Sequence, residues 1–201
     1  MNLRKALLLL AVATFVTATA HAQFGVYGTF TANHLSGIKS SPDATTPSAL
    51  NNDVSPLGGT GGVYYDFFKL GRLVKLGVDA RGSITTTKRG AYIAANGGGA
   101  RVNSGLFGVR AVFDAPVLHT ILRPYVQGSV GIGSSNYGIL YGNNGVITRN
   151  NFEYMGFAGV DIPLAPFMDF RLVELGIGAL NNNHTYPLQS VSSGIVFHLP
   201  F

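Results

Sequence analysis

The chain has 201 residues, with 27 glycines, 13 phenylalanines, 9 tyrosines and no cysteine or tryptophan, and only 11% of it is charged. Ordinary soluble domains carry about 25% charged residues, so this shortage argues for a surface that water does not touch. The missing cysteines exclude disulfides and thiolate metal sites. The formal charge of +5 is too scattered, with no basic run interleaved with aromatics, to indicate nucleic-acid binding.

The first element is the amino terminus. Arg4 and Lys5 precede a short apolar stretch from Ala6 to Val16, and Ala20-His21-Ala22 has the small-x-small pattern of a cleavage point. A spanning helix needs roughly 20 apolar residues, so residues 1–22 read as a cleaved signal peptide with Gln23 as the first mature residue. No cysteine follows it, so no lipoprotein attachment is expected. Residues 23–201 remain as a single domain of formal charge +3, because the leader carries two basic residues and no acid.

Eight segments with period-two alternation follow, and none shows a helical period. The first, 23–33, sets Phe24, Val26, Gly28, Phe30 and Ala32 against Tyr27, Thr29, Thr31 and Asn33. The second, 61–68, sets Val63, Tyr65 and Phe67 against Tyr64 and Asp66. In the third, Leu76, Val78, Ala80, Gly82 and Ile84 alternate with Lys75, Asp79, Arg81, Ser83 and Thr85. The fourth, 104–113, opposes Phe107, Val109, Ala111 and Phe113 to Arg110.

The fifth opposes Leu122, Pro124, Val126, Gly128, Val130 and Ile132 to Arg123, Tyr125, Gln127 and Ser129. The sixth opposes Phe152, Tyr154, Gly156, Ala158 and Val160 to Glu153 and Asp161, with Met155 and Phe157 on the acidic side. The seventh sets Val173, Leu175, Ile177 and Ala179 against Glu174, and its register leaves Arg171 on the apolar side. The eighth carries Ile195, Phe197, Leu199 and the terminal Phe201 on one face.

Segments of about 9 to 12 residues suit tilted strands that cross a bilayer. Charges at mid-strand would be costly inside a greasy soluble barrel. Long polar links (34–60, 86–103, 134–150 and 181–189) alternate with short ones (69–73, 114–120 and 162–169), the layout of a transmembrane barrel. The expected fold is therefore all-β: an eight-stranded antiparallel up-and-down transmembrane barrel. Its first and last strands pair because hydrocarbon offers no partner to an open edge. Phe24, Phe67, Phe113 and Phe201 are expected in an aromatic girdle, and Pro124 and Pro200 near a rim or a bulge.

On these residues, on the stretch Gly-Gly-Val-Tyr-Tyr-Asp-Phe-Phe at 61–68 and on Phe201, the chain resembles the small outer-membrane barrels of the OmpA-like transmembrane and opacity-protein type. The resemblance spans 23–201. It implies a bacterial outer-membrane location, contact with membrane lipid and lipopolysaccharide, and insertion by the barrel-assembly machinery through Ile195, Phe197, Leu199 and Phe201. A monomer without a cofactor is expected, and, because the chain stops at its last strand, no peptidoglycan-binding domain after the barrel.

The candidate site is the inward-facing polar set Asp66, Asp79, Arg81, Arg110, Gln127, Glu153 and Glu174, with Tyr27, Tyr64 and Tyr125 around it. An eight-stranded interior is just wide enough for side chains to fill, and buried charges there must pair. One reading is a filled lumen in a structural or surface-interaction protein, not an enzyme. A second is a narrow pore lined by the same charges. A third is a lipid-modifying enzyme, for which His184 with Ser190, Ser192 or Ser193 is the local combination. His34, His119, His184 and His198 lack metal-ligand spacing, and Gly97-Gly98-Gly99 lacks the lysine of a phosphate loop. The long loops remain open to an extracellular partner.

Overall fold

Every strand in the chain alternates, so each must bury one face and show the other, and the eight of them solve this by closing into a ring. A computed structural model describes residues 23–36, 55–71, 73–87, 101–113, 121–136, 148–182 and 184–199. The strands are β1 (Gln23–Leu35), β2 (Leu57–Leu70), β3 (Val74–Thr86), β4 (Arg101–Phe113), β5 (Arg123–Asn136), β6 (Thr148–Ala165), β7 (Met168–Asn182) and β8 (His184–Leu199). Each pairs antiparallel with its sequence neighbours, and β1 pairs with β8 from Phe24↔Leu199 to Leu35↔Leu188, which closes the barrel. The signal peptide, His119, the triglycine at 97–99, Pro200 and Phe201 lie outside the described residues.

Two ends are distinguishable. At the turn end, Gly71 adopts a positive φ of 68° between β2 and β3, a conformation that costs glycine nothing. Only Pro166 and Phe167 separate β6 from β7 there. The chain enters at Gln23 and leaves through Leu199 at this same end.

The strands run 13 to 18 residues, longer than the 9 to 12 expected, because alternation continues past the bilayer-length core into the loop end. The largest difference is at β7–β8. The segment 181–189, read as a loop from its asparagines, is mostly strand, with Asn182 facing His184 across the hairpin. The link 162–169 is likewise mostly strand, since Ala165 pairs with Met168.

The outward faces are apolar around the whole ring. Phe30, Val63, Ile84, Phe107, Val130, Phe152, Ile177 and Ile195, one from each strand, are all exposed, and Ile177 is 71% so. In water each would forgo roughly 1.5–3 kcal/mol of burial. A continuous apolar belt of this kind marks surface that meets something other than water. No helix among the described residues is long and apolar enough to cross a membrane. At the turn end Phe67, Phe68, Phe113 and Phe197 also point outward.

β-Bulges adjust which side chains turn in. One follows Asp66 in β2, and a larger one lies in β7, where Leu172 and Val173 together oppose Ser193. The extra residue reverses the alternation between Arg171 and Glu174, so both point inward. This corrects the seventh register: Arg171 is not on the apolar face but fully buried inside, while Leu172 takes the outward position. The Ser193 hydroxyl donates to the Arg171 carbonyl at 3.0 Å and ties down the backbone at the bulge.

Inward aromatic rings need room, and glycines supply it. Tyr27 lies opposite Gly62, Tyr64 opposite Gly25, Tyr125 opposite Gly159 and Phe157 opposite Gly176 in the strand register. A Cβ built at Gly159 would sit 2.5 Å from the Tyr125 ring. Gly159→Val is expected to displace that ring and destabilise the barrel by about 1–3 kcal/mol. The urea midpoint for loss of the compact, heat-modifiable form on gels measures it, against Gly156→Val on the outer face as a control that leaves the midpoint unchanged.

Candidate functional site

The bore is layered. At the loop end seven apolar side chains from five strands pack together: Leu35, Val102, Leu106, Met155, Phe157, Leu180 and Leu188. This cap was not legible as lumen, because Leu35 and Leu188 fell in segments read as loops. Just inside it, the Ser104 hydroxyl donates to Glu153.

At mid-barrel Glu174 is the centre of an ionic network. Arg81 reaches it through Nη1 at 2.9 Å, and Arg171 through Nη1 at 3.2 Å. The Tyr125 hydroxyl donates to the same carboxylate. Arg81 also donates from Nε to Asp79 and from Nη2 to Gln127, each at 2.9 Å. Gln127 donates to Asp79 at 2.7 Å, and the Tyr27 hydroxyl donates to the other Asp79 oxygen at 2.9 Å. Arg171 completes its set with Asp161, Nε to Oδ1 at 2.9 Å. Buried charges are tolerable only when paired and hydrogen-bonded in this way.

The guanidinium groups also stack between rings. Arg81 lies over Phe157 at 4.0 Å and Tyr27 at 5.6 Å, and Arg171 over Tyr27 at 4.5 Å and Tyr125 at 4.7 Å. Arg110 lies over Tyr125 at 4.9 Å and Tyr64 at 3.8 Å. The result is one chain of alternating planes, Phe157–Arg81–Tyr27–Arg171–Tyr125–Arg110–Tyr64. Desolvated contacts of this type contribute about 2 kcal/mol each.

Below the stack, Arg110 faces Asp66 at 3.4 Å. At the rim, His198 of the last strand gathers four others. Its Nε2 lies 2.7 Å from Asp169, whose same oxygen accepts from Arg123 at 2.7 Å. Its Nδ1 lies 2.7 Å from the Gln23 amide nitrogen and 3.0 Å from the Tyr64 hydroxyl. In the tautomer that donates from Nε2 to Asp169, the single Nδ1 lone pair accepts from the Gln23 amide or the Tyr64 hydroxyl. The first described residue is thereby held to the last strand.

All seven residues of the sequence-derived set are inward and buried. The structure joins Asp79, Arg81, Gln127 and Glu174 directly and pairs Asp66 with Arg110 one layer lower. Glu153 sits apart from them, toward the loop end. Arg171, Asp161, Asp169, Arg123 and His198 belong to the same interior and were not in that set. Asp161 and His198 had the right alternation, whereas nothing local announced the bulge that turns Arg171 in. Ser190 and Ser192 point inward and Ser193 outward, and the His184 side chain lies outside the described residues. Among the described residues no three histidines or carboxylates are placed to hold a metal ion.

Because Glu174 neutralises two arginines, Glu174→Leu leaves both under-paired in a dry layer. It is expected to cost about 3–5 kcal/mol, as removal of one member of a buried ion pair does. Gln127→Leu, which removes no charge, is expected to cost less than half as much. Urea unfolding in the same detergent compares them.

No protein-family model and no curated protein matches the chain. Solved structures do. Neisserial surface protein A aligns with a TM-score of 0.55 at 12% identity, over 90% of this chain and 99% of that one. Ail, the attachment invasion locus protein of Yersinia pestis, aligns in complex with the heparin analogue sucrose octasulfate with a TM-score of 0.54 at 10% identity, over 88% and 99%. A second Ail structure gives 0.52 at 12% identity, over 89% and 97%. Identities this low speak to architecture alone, and that architecture is the closed eight-stranded β-barrel of small outer-membrane proteins.

Proposed function

We propose that the protein is a non-conducting bacterial outer-membrane barrel that serves as a rigid scaffold for surface-exposed loops, without enzymatic activity. The observation that carries this reading is the filled bore. From the apolar cap at Leu35 and Leu188, through the arginine–aromatic chain, to the His198 cluster, side chains from opposite walls meet across the lumen. The outer apolar belt supports a lipid environment, with lipopolysaccharide against its outer leaflet.

Loops on rigid frames commonly carry recognition, and the polar links read from the sequence at 34–60, 86–103 and 134–150 are the candidates for it. Their partner is an extracellular one. Neisserial surface protein A and the attachment invasion locus protein of Yersinia pestis share the fold. Residues 1–22 act as the cleaved export leader, and Ile195, Phe197 and Leu199 on the outer face of β8 present the assembly signal together with Phe201. We read the barrel as a monomer, and the lack of an open strand edge for another copy to pair with supports that reading.

A catalytic reading requires a serine beside a histidine and an acid. His198 has its acid, Asp169, but its other neighbours are Tyr64, Gln23 and Arg123, and the serine beside a described histidine is Ser55, 3.0 Å from His34 at the exposed loop end.

Planar-bilayer recording decides between scaffold and pore. The purified protein is expected to give no conductance steps, and Arg81→Ala with Glu174→Ala together to create or enlarge leakage by opening the central layer. Discrete steps from the unaltered protein would overturn the scaffold reading. Mass spectrometry of lipid A from expressing cells is expected to show no gain or loss of acyl groups.

A further inference from the structure

Five buried polar atoms at the turn end have no hydrogen-bond partner within the protein: Asp66 Oδ1, Arg110 Nε and Nη1, Arg123 Nε, and Asp169 Oδ1. All four residues line one cavity of about 20 Å³, which Tyr64 and His198 also bound. Asp66, Arg110 and Asp169 are 4%, 3% and 1% exposed, so bulk solvent does not serve these atoms. Leaving a buried charged group short of partners costs several kcal/mol, more than a folded interior sustains at five atoms around one space.

We propose that this cavity is a resident water site, in which one or two ordered waters bridge the Arg110 and Arg123 N–H groups to the Asp66 and Asp169 carboxylates. The donor set decides the ligand class. Three N–H groups and two carboxylate oxygens face the same space, so the occupant must accept and donate at once. An anion would satisfy the arginines and be repelled by both carboxylates, and a cation would meet the reverse. Asp66 pairs with Arg110 and Asp169 with Arg123, and Lys75 and Asp161 also line the cavity, so charges of both signs surround it. The size agrees, since a water needs about 10–15 Å³ of such space. Arg110 Nε and Asp66 Oδ1, 3.4 Å apart, form an ion pair without hydrogen-bond geometry, so both atoms keep capacity for a water placed beside the pair.

The hydration is one-sided. A second cavity of about 20 Å³ lies toward the loop end, among Thr31, Thr60, Ser104 and Glu153, and none of the unpartnered atoms among the described residues lines it. The arginine–aromatic chain separates the two. The lower water therefore exchanges through the turn-end rim, past Arg123, whose side chain is 23% exposed.

The test is water-to-protein magnetisation transfer by NMR on 15N-arginine-labelled protein in lipid nanodiscs. Transfer from water to Hε is expected to be several-fold stronger at Arg110 and Arg123 than at Arg81 and Arg171, whose Nε groups donate to Asp79 and Asp161. Arg110→Lys and Arg123→Lys assign the resonances. Equal transfer at all four, or none at Arg110, overturns the proposal. Should those variants fail to fold, crystals of the unaltered protein give a second readout. Density for water within hydrogen-bond distance of both Arg110 Nη1 and Asp66 Oδ1 supports it. An empty cavity overturns it, as does an anomalous bromide peak after soaking.

Discussion

Lipid hydrocarbon neither donates nor accepts a hydrogen bond, so a sheet placed in it must leave no edge open. In this chain the requirement is met at the β1–β8 seam, where twelve residue pairs join the ends of the sequence from Phe24↔Leu199 to Leu35↔Leu188. Closure inverts the usual layout of a small protein. Apolar side chains such as Phe30 and Ile177 go outside, and the ionisable ones are confined to a bore too narrow to hydrate them freely. What the interior looks like follows from that confinement.

Confinement is resolved by combining two kinds of contact on the same groups. Arg81 and Arg171 each spend their N–H donors in the guanidinium plane on carboxylates, while their faces rest on aromatic rings. A planar guanidinium allows this division, and an ammonium would not. The rings fit only because a glycine sits beside each of them on the neighbouring strand, so the glycines at 25, 62, 159 and 176 are packing partners of the arginine layer. Glycine at these positions exchanges the intrinsic β preference of a larger side chain for space in the bore.

Alternation made the strands, their faces and the closed barrel readable from the chain, because lipid-facing and lumen-facing positions differ so sharply in polarity. Reading failed where local composition and tertiary role diverge. Pro187 and the asparagines at 181–183 resemble loop, yet β7 and β8 pair as far as Asn182 and His184, because the register set lower in the hairpin carries on. Arg171 looked misplaced on an apolar face since a strict period of two has no provision for an inserted residue. Leu188 and Leu35 gave no sign that they would seal the bore.

The sequence by itself determined the architecture: eight amphipathic strands, their closure into a barrel, and the apolar face that each turns outward, since these rest on local polarity at a fixed spacing. Only the tertiary structure decided the interior, namely that Glu174 bridges two arginines, that four aromatic rings alternate with three guanidinium groups, and that unpaired donors and acceptors gather at the turn end. Contacts in that interior join residues up to 175 positions apart, as Gln23 and His198 are. They depend on strand register, bulges and rotamers, and local periodicity does not encode these.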